Sequence, residues 1–198
     1  MTLVDKALDL FSFSSTQIIT FKQNYSQPHK KYHNLNHLED MLKHLENFDN
    51  HSLVYAILFH DYCYDKVKVA AGTNEVFSIL TAYDWKMFNS QIRQVSTISV
   101  VDSINATAYH HLYQDPILLC GVTKLLLDLD LNSFAKPREE FLKDTKLVQE
   151  ELTPVYGPNY PEYQKGFYRK LLERPKLYYL KTEWEEPARE NINYLLES

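Results

Sequence analysis

The sequence predicts an all-α fold, and three observations support this prediction. Only 4 of the 198 residues are glycine, which is too few for the many tight turns of an all-β protein. Apolar residues recur instead at steps of three and four, the spacing of one face of a helix. No stretch of strict apolar–polar alternation reaches a comparable length. We therefore expect one domain over residues 1–198, built from about nine or ten helices.

In the N-terminal half, two apolar stripes define the clearest helices. The first stripe runs through 35–48 and the second through 92–108. Between them, Asn50 can cap a helix that contains the apolar run ending at Phe59. The predicted helices of this half are 2–12, 14–25, 35–48, 51–63, 74–87 and 90–110.

In the C-terminal half, cap and turn residues mark the helix boundaries. Asp115 precedes a proline at a first helical position, and Thr182 and Glu185 have the spacing of a capping box. Pro175 ends one helix, and the proline-rich stretch 153–161 predicts a loop. The predicted helices of this half are 116–127, 137–153, 161–173 and 183–197.

The composition excludes several classes of protein. The chain has 21 basic and 26 acidic side chains, and this net charge of -5 argues against binding to a nucleic acid duplex. The longest apolar run, 53–59, is too short to span a membrane. Asp5 stands where a signal peptide needs a basic start, so we expect a cytoplasmic protein. Cys63 and Cys120 form no recognisable motif and are expected to be reduced thiols.

The residues that could carry chemistry are the eight histidines and the aspartates near them. His33 and His37 are four positions apart, so they would share one face of a helix. Asp61 follows an apolar run, and Asp128 and Asp130 interrupt another. A buried carboxylate is costly unless it is paired, and a divalent metal is a suitable partner. The alternative is that Asp61 caps a turn and that one of the other two faces solvent, because two positions on a helix differ by roughly 200°.

The order of these segments resembles the HD superfamily of metal-dependent phosphohydrolases, in particular a bacterial group of predicted HD phosphohydrolases of about this length. The resemblance runs from about residue 30 to the C-terminus. It comprises YHNLNHL at 32–38, FHDYCYD at 59–65, NEVFS at 74–78, TAYH at 107–110, DLDL at 128–131 and EPAREN at 186–191. It implies an HD-domain-like bundle in which residues 33–130 build a metal site and the C-terminal helices at 137–198 pack on it.

The same resemblance implies the ligands of one divalent metal ion. These would be His37, His60, Asp61 and one of Asp128 and Asp130, and the spacing to the following segment favours Asp128. Two imidazoles and two carboxylates suit Mn, Mg, Fe, Co, Ni or Zn.

The resemblance also implies roles around the metal. The residues expected to act in catalysis are Asp61, Asp65, Glu75 and His33. The residues expected to contact the substrate are Lys30, Lys31, His110 and Arg189, and His110 could instead be a fifth ligand. The chain departs from the group at Gln149 and Phe167, where basic residues are expected, and before Tyr32, where lysine stands in place of arginine.

The function implied is hydrolysis of a phosphoester of a small phosphorylated metabolite or nucleotide. A second hypothesis is an HD-like module that binds a metal or nucleotide with weak turnover, which the missing basic residues favour. A third is a helical interaction protein without a site. Three aromatic residues, Tyr163, Phe167 and Tyr178, are expected in the core.

Overall fold

The computed structural model describes residues 1–64, 70, 72–87, 89, 92–112 and 119–197, and this part of the chain is helical without strands. This confirms the all-α prediction. Short 3₁₀ turns also occur at Asn132–Ala135 and Thr182–Trp184. The α-helices are α1 (Leu3–Leu10), α2 (Ser15–Tyr25), α3 (Leu35–Lys43), α4 (His51–Phe59), α5 (Thr73–Met87), α6 (Thr97–Thr107), α7 (Gly121–Asp130), α8 (Arg138–Tyr156), α9 (Tyr160–Leu172) and α10 (Glu185–Glu197).

Side-chain caps explain where the first helices begin. Thr2 and Ser14 each accept a bond from the backbone N–H three residues later. Asp5 and Gln17 accept a bond from the cap N–H in return, which completes capping boxes at α1 and α2. Asn50 caps α4 as predicted, by accepting a bond of 3.1 Å from a backbone N–H.

Helix α4 is the centre of the fold because it is apolar on every side. Every residue from Ser52 to Phe59 is buried, as expected for a helix surrounded by protein. It packs against α1, α3, α5, α6 and α7. The C-terminal end of α4 is therefore also enclosed, and the next two residues are His60 and Asp61.

A second apolar cluster lies under the C-terminal helices. Phe134, Tyr168 and Tyr178 are among its buried members. Tyr178 belongs to the core as predicted, and its hydroxyl donates to the carbonyl of Leu131 at 2.8 Å. Trp184 packs against both this cluster and the one around α4, so it joins the two halves.

Three helices of the N-terminal half are shorter than predicted by four residues or more. Helix α3 ends at Lys43, α4 ends at Phe59 and α6 begins at Thr97. Leu45 and Phe48 still pack against the core from the turns after α3. The helix predicted from apolar spacing alone is therefore too long at its C-terminal end. The shorter α4 leaves the predicted metal ligands that follow it in a turn.

Helix α8 is longer than predicted. It continues through Pro154 to Tyr156, so the loop expected at 153–161 shrinks to the residues just before α9. Gly157 ends α8 with a φ of 91°, a conformation that favours glycine. The predicted cap at Asp115 and Pro116 lies outside the described residues.

Two expectations concern the chain as a whole. None of the helices that the structure describes has the length and apolar content that a bilayer crossing requires. Cys63 and Cys120 carry thiols and form no disulfide with each other.

Candidate metal centre

Four side chains that are distant in the sequence meet at the ends of three helices. His37 lies on α3, His60 and Asp61 directly follow α4, and Asp130 is the last residue of α7. Each offers one nitrogen or oxygen atom, and these four atoms all lie within 4.8 Å of one another. We call these four residues the His/Asp cluster. Two imidazoles and two carboxylates in this arrangement could hold a divalent metal ion.

Four distances within the His/Asp cluster are close to those between ligands of one ion, and a fifth, from His37 Nε2 to Asp61 Oδ2, is longer at 3.7 Å. His37 Nε2 lies 3.3 Å from His60 Nε2 and 3.1 Å from Asp130 Oδ1. His60 Nε2 lies 2.9 Å from Asp61 Oδ2 and 3.4 Å from Asp130 Oδ1. Two ligands about 2.1 Å from an ion, at angles of about 90–110°, are themselves about 3.0–3.4 Å apart. The residues present therefore fit a first-row or similar divalent ion.

The His60 ring shows why a cation suits this place. His60 Nδ1 donates to the carbonyl of Ile57 at 2.9 Å, so Nε2 of the neutral ring carries a lone pair. Near it lies Asp61 Oδ2, which is buried and has no hydrogen-bond partner within the described part of the chain. Two acceptor atoms this close repel each other unless a proton or a cation lies between them.

The carboxylates make the His/Asp cluster attractive to positive charge. Burial lowers the pKa of His60, but Asp61 and Asp130 outweigh burial and hold that pKa well above its usual value. Burial raises the pKa of Asp61, yet His60 and His33 outweigh it and bring that pKa down to about 2. The pKa of Asp130 lies well below its usual value despite burial, because His60 and His110 stabilise the carboxylate. Both carboxylates are therefore ionised near neutral pH.

The structure places Asp130 in the cluster, whereas the sequence analysis favours Asp128. The Asp128 carboxylate is fully buried elsewhere and accepts bonds from the backbone N–H groups of residues 179, 180 and 181, at 2.8, 2.6 and 2.9 Å. Burial raises the pKa of Asp128, and these three bonds oppose that rise. The physical reason is the helix itself: because α7 continues to residue 130, the two side chains point to different sides.

His110 contacts the His/Asp cluster through one of its members. Its Nε2 lies 2.8 Å from Asp130 Oδ2, and its side chain is almost fully enclosed. Arg174 Nη1 donates to the His110 carbonyl at 3.0 Å, which ties the end of α6 to the segment after α9. His110 is thus held against a candidate ligand, in reach of whatever the site binds.

His33 is held by a residue that the sequence analysis does not identify. Glu151 on α8 is buried, and its Oε1 lies 2.9 Å from His33 Nδ1. Its other oxygen accepts bonds from the backbone N–H groups of Tyr32 and His33 at 2.7 and 3.1 Å. The His33 ring also stacks on Tyr64, with 4.0 Å between ring centroids. The only sequence signal for Glu151 is a carboxylate in the middle of an amphipathic helix, and many surface residues share that signal.

Two of the three basic residues expected to contact phosphate are occupied elsewhere. Lys30 is buried, and its Nζ donates to the carbonyls of Asp61 and Tyr62, both at 2.9 Å. Arg189 donates to Glu185 and to the carbonyls of residues 172 and 174. Lys31 is exposed beside a separate groove. None of the three lines the cavity described next.

A cavity of about 290 Å³ is lined in part by Asp61 and Asp130. The turn at Asn132–Ala135 and helices α8 and α9 supply much of the remaining lining, which is rich in aromatic rings. Tyr163 and Phe167 both belong to this lining. Tyr163 is 64% exposed and lies outside the core, whereas Phe167 is partly buried and also packs against the second apolar cluster, as predicted. Helical spacing alone cannot distinguish a helix face that lines a cavity from one that packs in the core, so the sequence does not identify these two as lining residues.

Of the other predicted catalytic residues, two line the cavity. Glu75, in the first turn of α5, lines it together with His33. Burial raises the pKa of Glu75, and the charges of Asp61 and Asp130 add to the rise. Asp65 lies outside the described residues.

The resemblance to HD phosphohydrolases rests on the sequence segments alone. No family model, curated protein or solved structure matches this chain.

Proposed function

We propose that this protein is a metal-dependent phosphohydrolase of the HD type, acting on a small phosphorylated metabolite or nucleotide. The observation that carries the proposal is the His/Asp cluster, whose two carboxylates line a ligand-sized cavity. In the metal-free protein a proton has to lie between His60 Nε2 and Asp61 Oδ2, which are 2.9 Å apart, and a divalent ion would take its place.

The His/Asp cluster would hold one divalent ion of Mn, Mg, Fe, Co, Ni or Zn. When bound, such an ion supplies Lewis-acid chemistry: it polarises a phosphoryl oxygen and makes water more acidic. The protein contributes the position of the four ligands. The bond from His60 to the carbonyl of Ile57 fixes the ring tautomer that this role needs.

The remaining roles are assigned to residues on the cavity wall. Glu75 is the general base that takes the proton of the attacking water, because its raised pKa brings it closer to neutrality. His33, oriented by Glu151, gives a proton to the leaving oxygen. Burial lowers the pKa of His33, but Glu151 and Asp61 outweigh burial and raise it, which favours the protonated ring. His110 contacts the phosphoryl group from beside Asp130.

A binding module with weak turnover is the second candidate. The positions of Lys30 and Arg189 favour this candidate. Both side chains donate to backbone carbonyls, so neither is placed to contact a phosphate. Such a protein would hold a metal and a phosphorylated ligand without releasing inorganic phosphate.

Metal content and phosphate release test the proposal together. We expect the wild-type protein to bind about one ion per chain and to release phosphate from at least one of a panel of nucleotides and sugar phosphates. Asp61→Asn should lose both properties while its circular dichroism stays helical. Asp40→Asn is the matched control, because Asp40 is a carboxylate on α3 that pairs with Lys43 and Lys136. Metal binding without any turnover would favour the binding module, and no metal binding would contradict both.

A further inference from the structure

The charge of the cavity wall bears on which phosphorylated compounds it can accept. Among the described residues that line it are four carboxylates and no lysine or arginine. Asp61 and Asp130 belong to the His/Asp cluster, where a divalent ion would balance them. Glu75 and Asp144 remain on the wall.

A lysine that contacts one of these wall carboxylates does not change this balance. Lys136 Nζ lies 2.7 Å from Asp144 Oδ2 and 2.8 Å from Asp40 Oδ2, so two carboxylates already share it. A first phosphoryl group would meet the metal ion and the ring nitrogens of His33 and His110. A second or third would bring charge beside Glu75, where none of the described lining residues is a lysine or arginine, and an unpaired charge inside a cavity is costly.

The rest of the lining suits an uncharged body with a planar ring. Helix α9 contributes Tyr160, Tyr163 and Phe167, whose faces can stack on a ring. Gln164 is buried on the same wall, and its amide oxygen accepts a bond of 2.8 Å from Gln149 Nε2. On α8, α9 and the turn at Asn132–Ala135, the described polar lining groups other than Asp144, which is paired with Lys136, are amides and hydroxyls.

We infer that the cavity selects a phosphate monoester whose single phosphoryl group is carried by an uncharged, ring-bearing body, and that it discriminates against di- and triphosphates. The inference rests on the proposed function. In the reaction, water oxygen forms a bond to phosphorus as the ester P–O bond breaks. Water loses a proton to Glu75, and the leaving oxygen gains one from His33. The products are the free alcohol and inorganic phosphate.

The test compares compounds that differ only in charge or only in the ring. A nucleoside monophosphate, diphosphate and triphosphate with the same base are assayed with Mn²⁺ kept above the nucleotide concentration. 4-Nitrophenyl phosphate and glycerol phosphate are assayed in parallel. We expect kcat/KM for the monophosphate to exceed that for the triphosphate at least tenfold, and ring-bearing esters to exceed glycerol phosphate.

Variants at the cavity mouth make the test specific. Tyr163→Ala should lower kcat/KM for the ring-bearing monoesters severalfold and leave glycerol phosphate unchanged. Tyr163→Lys should narrow the gap between monophosphate and triphosphate, because it adds the missing cation. Tyr194→Ala is the matched control, since Tyr194 is an exposed tyrosine on α10 that does not line the cavity.

The outcomes separate this inference from the function on which it rests. Equal or faster hydrolysis of the triphosphate would overturn the inference and leave phosphohydrolase activity standing. Unchanged selectivity in both Tyr163 variants would also overturn it. Release of no phosphate from any compound by metal-loaded protein would overturn the proposed function and the substrate class with it.

Discussion

Asp128 and Asp130 lie two positions apart on α7 and meet different surroundings. The Asp128 carboxylate accepts three backbone N–H groups from residues 179–181 and anchors the segment before α10. The Asp130 carboxylate contacts His37, His60 and His110. Asp128 therefore stabilises the fold, whereas Asp130 belongs to the candidate metal site.

Replacing each aspartate by asparagine should separate these two roles. Asp130→Asn should weaken metal binding by more than about tenfold, because it removes an anionic ligand. Asp128→Asn should keep metal binding and lower the free energy of unfolding by about 1–3 kcal/mol, because an amide cannot accept all three bonds. Metal titration and urea denaturation measure the two effects. Loss of metal in Asp128→Asn with Asp130→Asn unaffected would contradict this assignment.

The His33–Glu151 pair should make stability depend on pH. The pKa of His33 is raised, so its contribution is full below the unfolded value of 6.5 and is lost as pH rises through the folded value. Burial raises the pKa of Glu151, but His33 and the backbone bonds outweigh burial and lower that pKa. The contribution of Glu151 to stability is therefore present above the unfolded pKa of 4.5 and is lost as pH falls through the folded value. The pair therefore stabilises most between pH 4.5 and 6.5.

Urea denaturation of metal-free protein at several pH values measures this contribution. Glu151→Gln should lower the free energy of unfolding by about 1.5–3 kcal/mol near pH 5.5, and by less near pH 9. Glu150→Gln is the matched control, because the neighbouring Glu150 is exposed. A loss in Glu151→Gln that does not vary with pH would mean that its backbone bonds alone hold the loop.

At the scale of elements, the end of α4 depends on a lysine from a distant segment. Carbonyls beyond the last turn of a helix need donors, and at this buried end water cannot supply them. Lys30 supplies donors to Asp61 and Tyr62 and also bonds Asn24. This ammonium holds the backbone of the turn that carries two candidate metal ligands.

Removing that ammonium should loosen the turn. Lys30→Met should lower the free energy of unfolding by about 2–4 kcal/mol, because two buried carbonyls lose their donor. It should also weaken metal binding, because Asp61 is no longer held in place. Lys31→Met is the control: this neighbouring lysine is exposed and should change stability by less than about 0.5 kcal/mol. Equal effects of the two substitutions would contradict a positioning role for Lys30.

At the scale of the whole molecule, the His/Asp cluster links α4 to two helices that pack against it, α3 and α7. An ion bound there stabilises the native state, because the unfolded chain holds no such arrangement. Mn²⁺ at about 100 times its Kd should add about 2.7 kcal/mol to the free energy of unfolding, and a chelator should remove this gain. Thermal unfolding with and without the ion measures it, with Asp61→Asn as the variant expected to show no response. A midpoint unaffected by the ion in wild type would argue against the site.

Features that depend on neighbours in the sequence could be predicted. The all-α class follows from apolar spacing, and the cap of α4 follows from the chemistry of Asn50. His37, His60 and Asp61 stand out because histidine and aspartate are unusual next to apolar runs. The structure brings these three together. Helix ends were less predictable, because side chains such as Phe48 can reach the core from a turn as well as from a helix.

The sequence by itself determined that this protein is helical and which residue types are available for a metal site. Only the tertiary structure decided between Asp128 and Asp130 as the candidate ligand. It also shows that Lys30 bonds to buried backbone carbonyls and does not line the cavity. It places Glu151 against His33, 118 positions away in the sequence. The physical reason is that apolar periodicity indicates which residues are buried but not which distant residues they contact. Partners of buried charges are chosen by packing between distant segments, and that information exists only once the chain has folded.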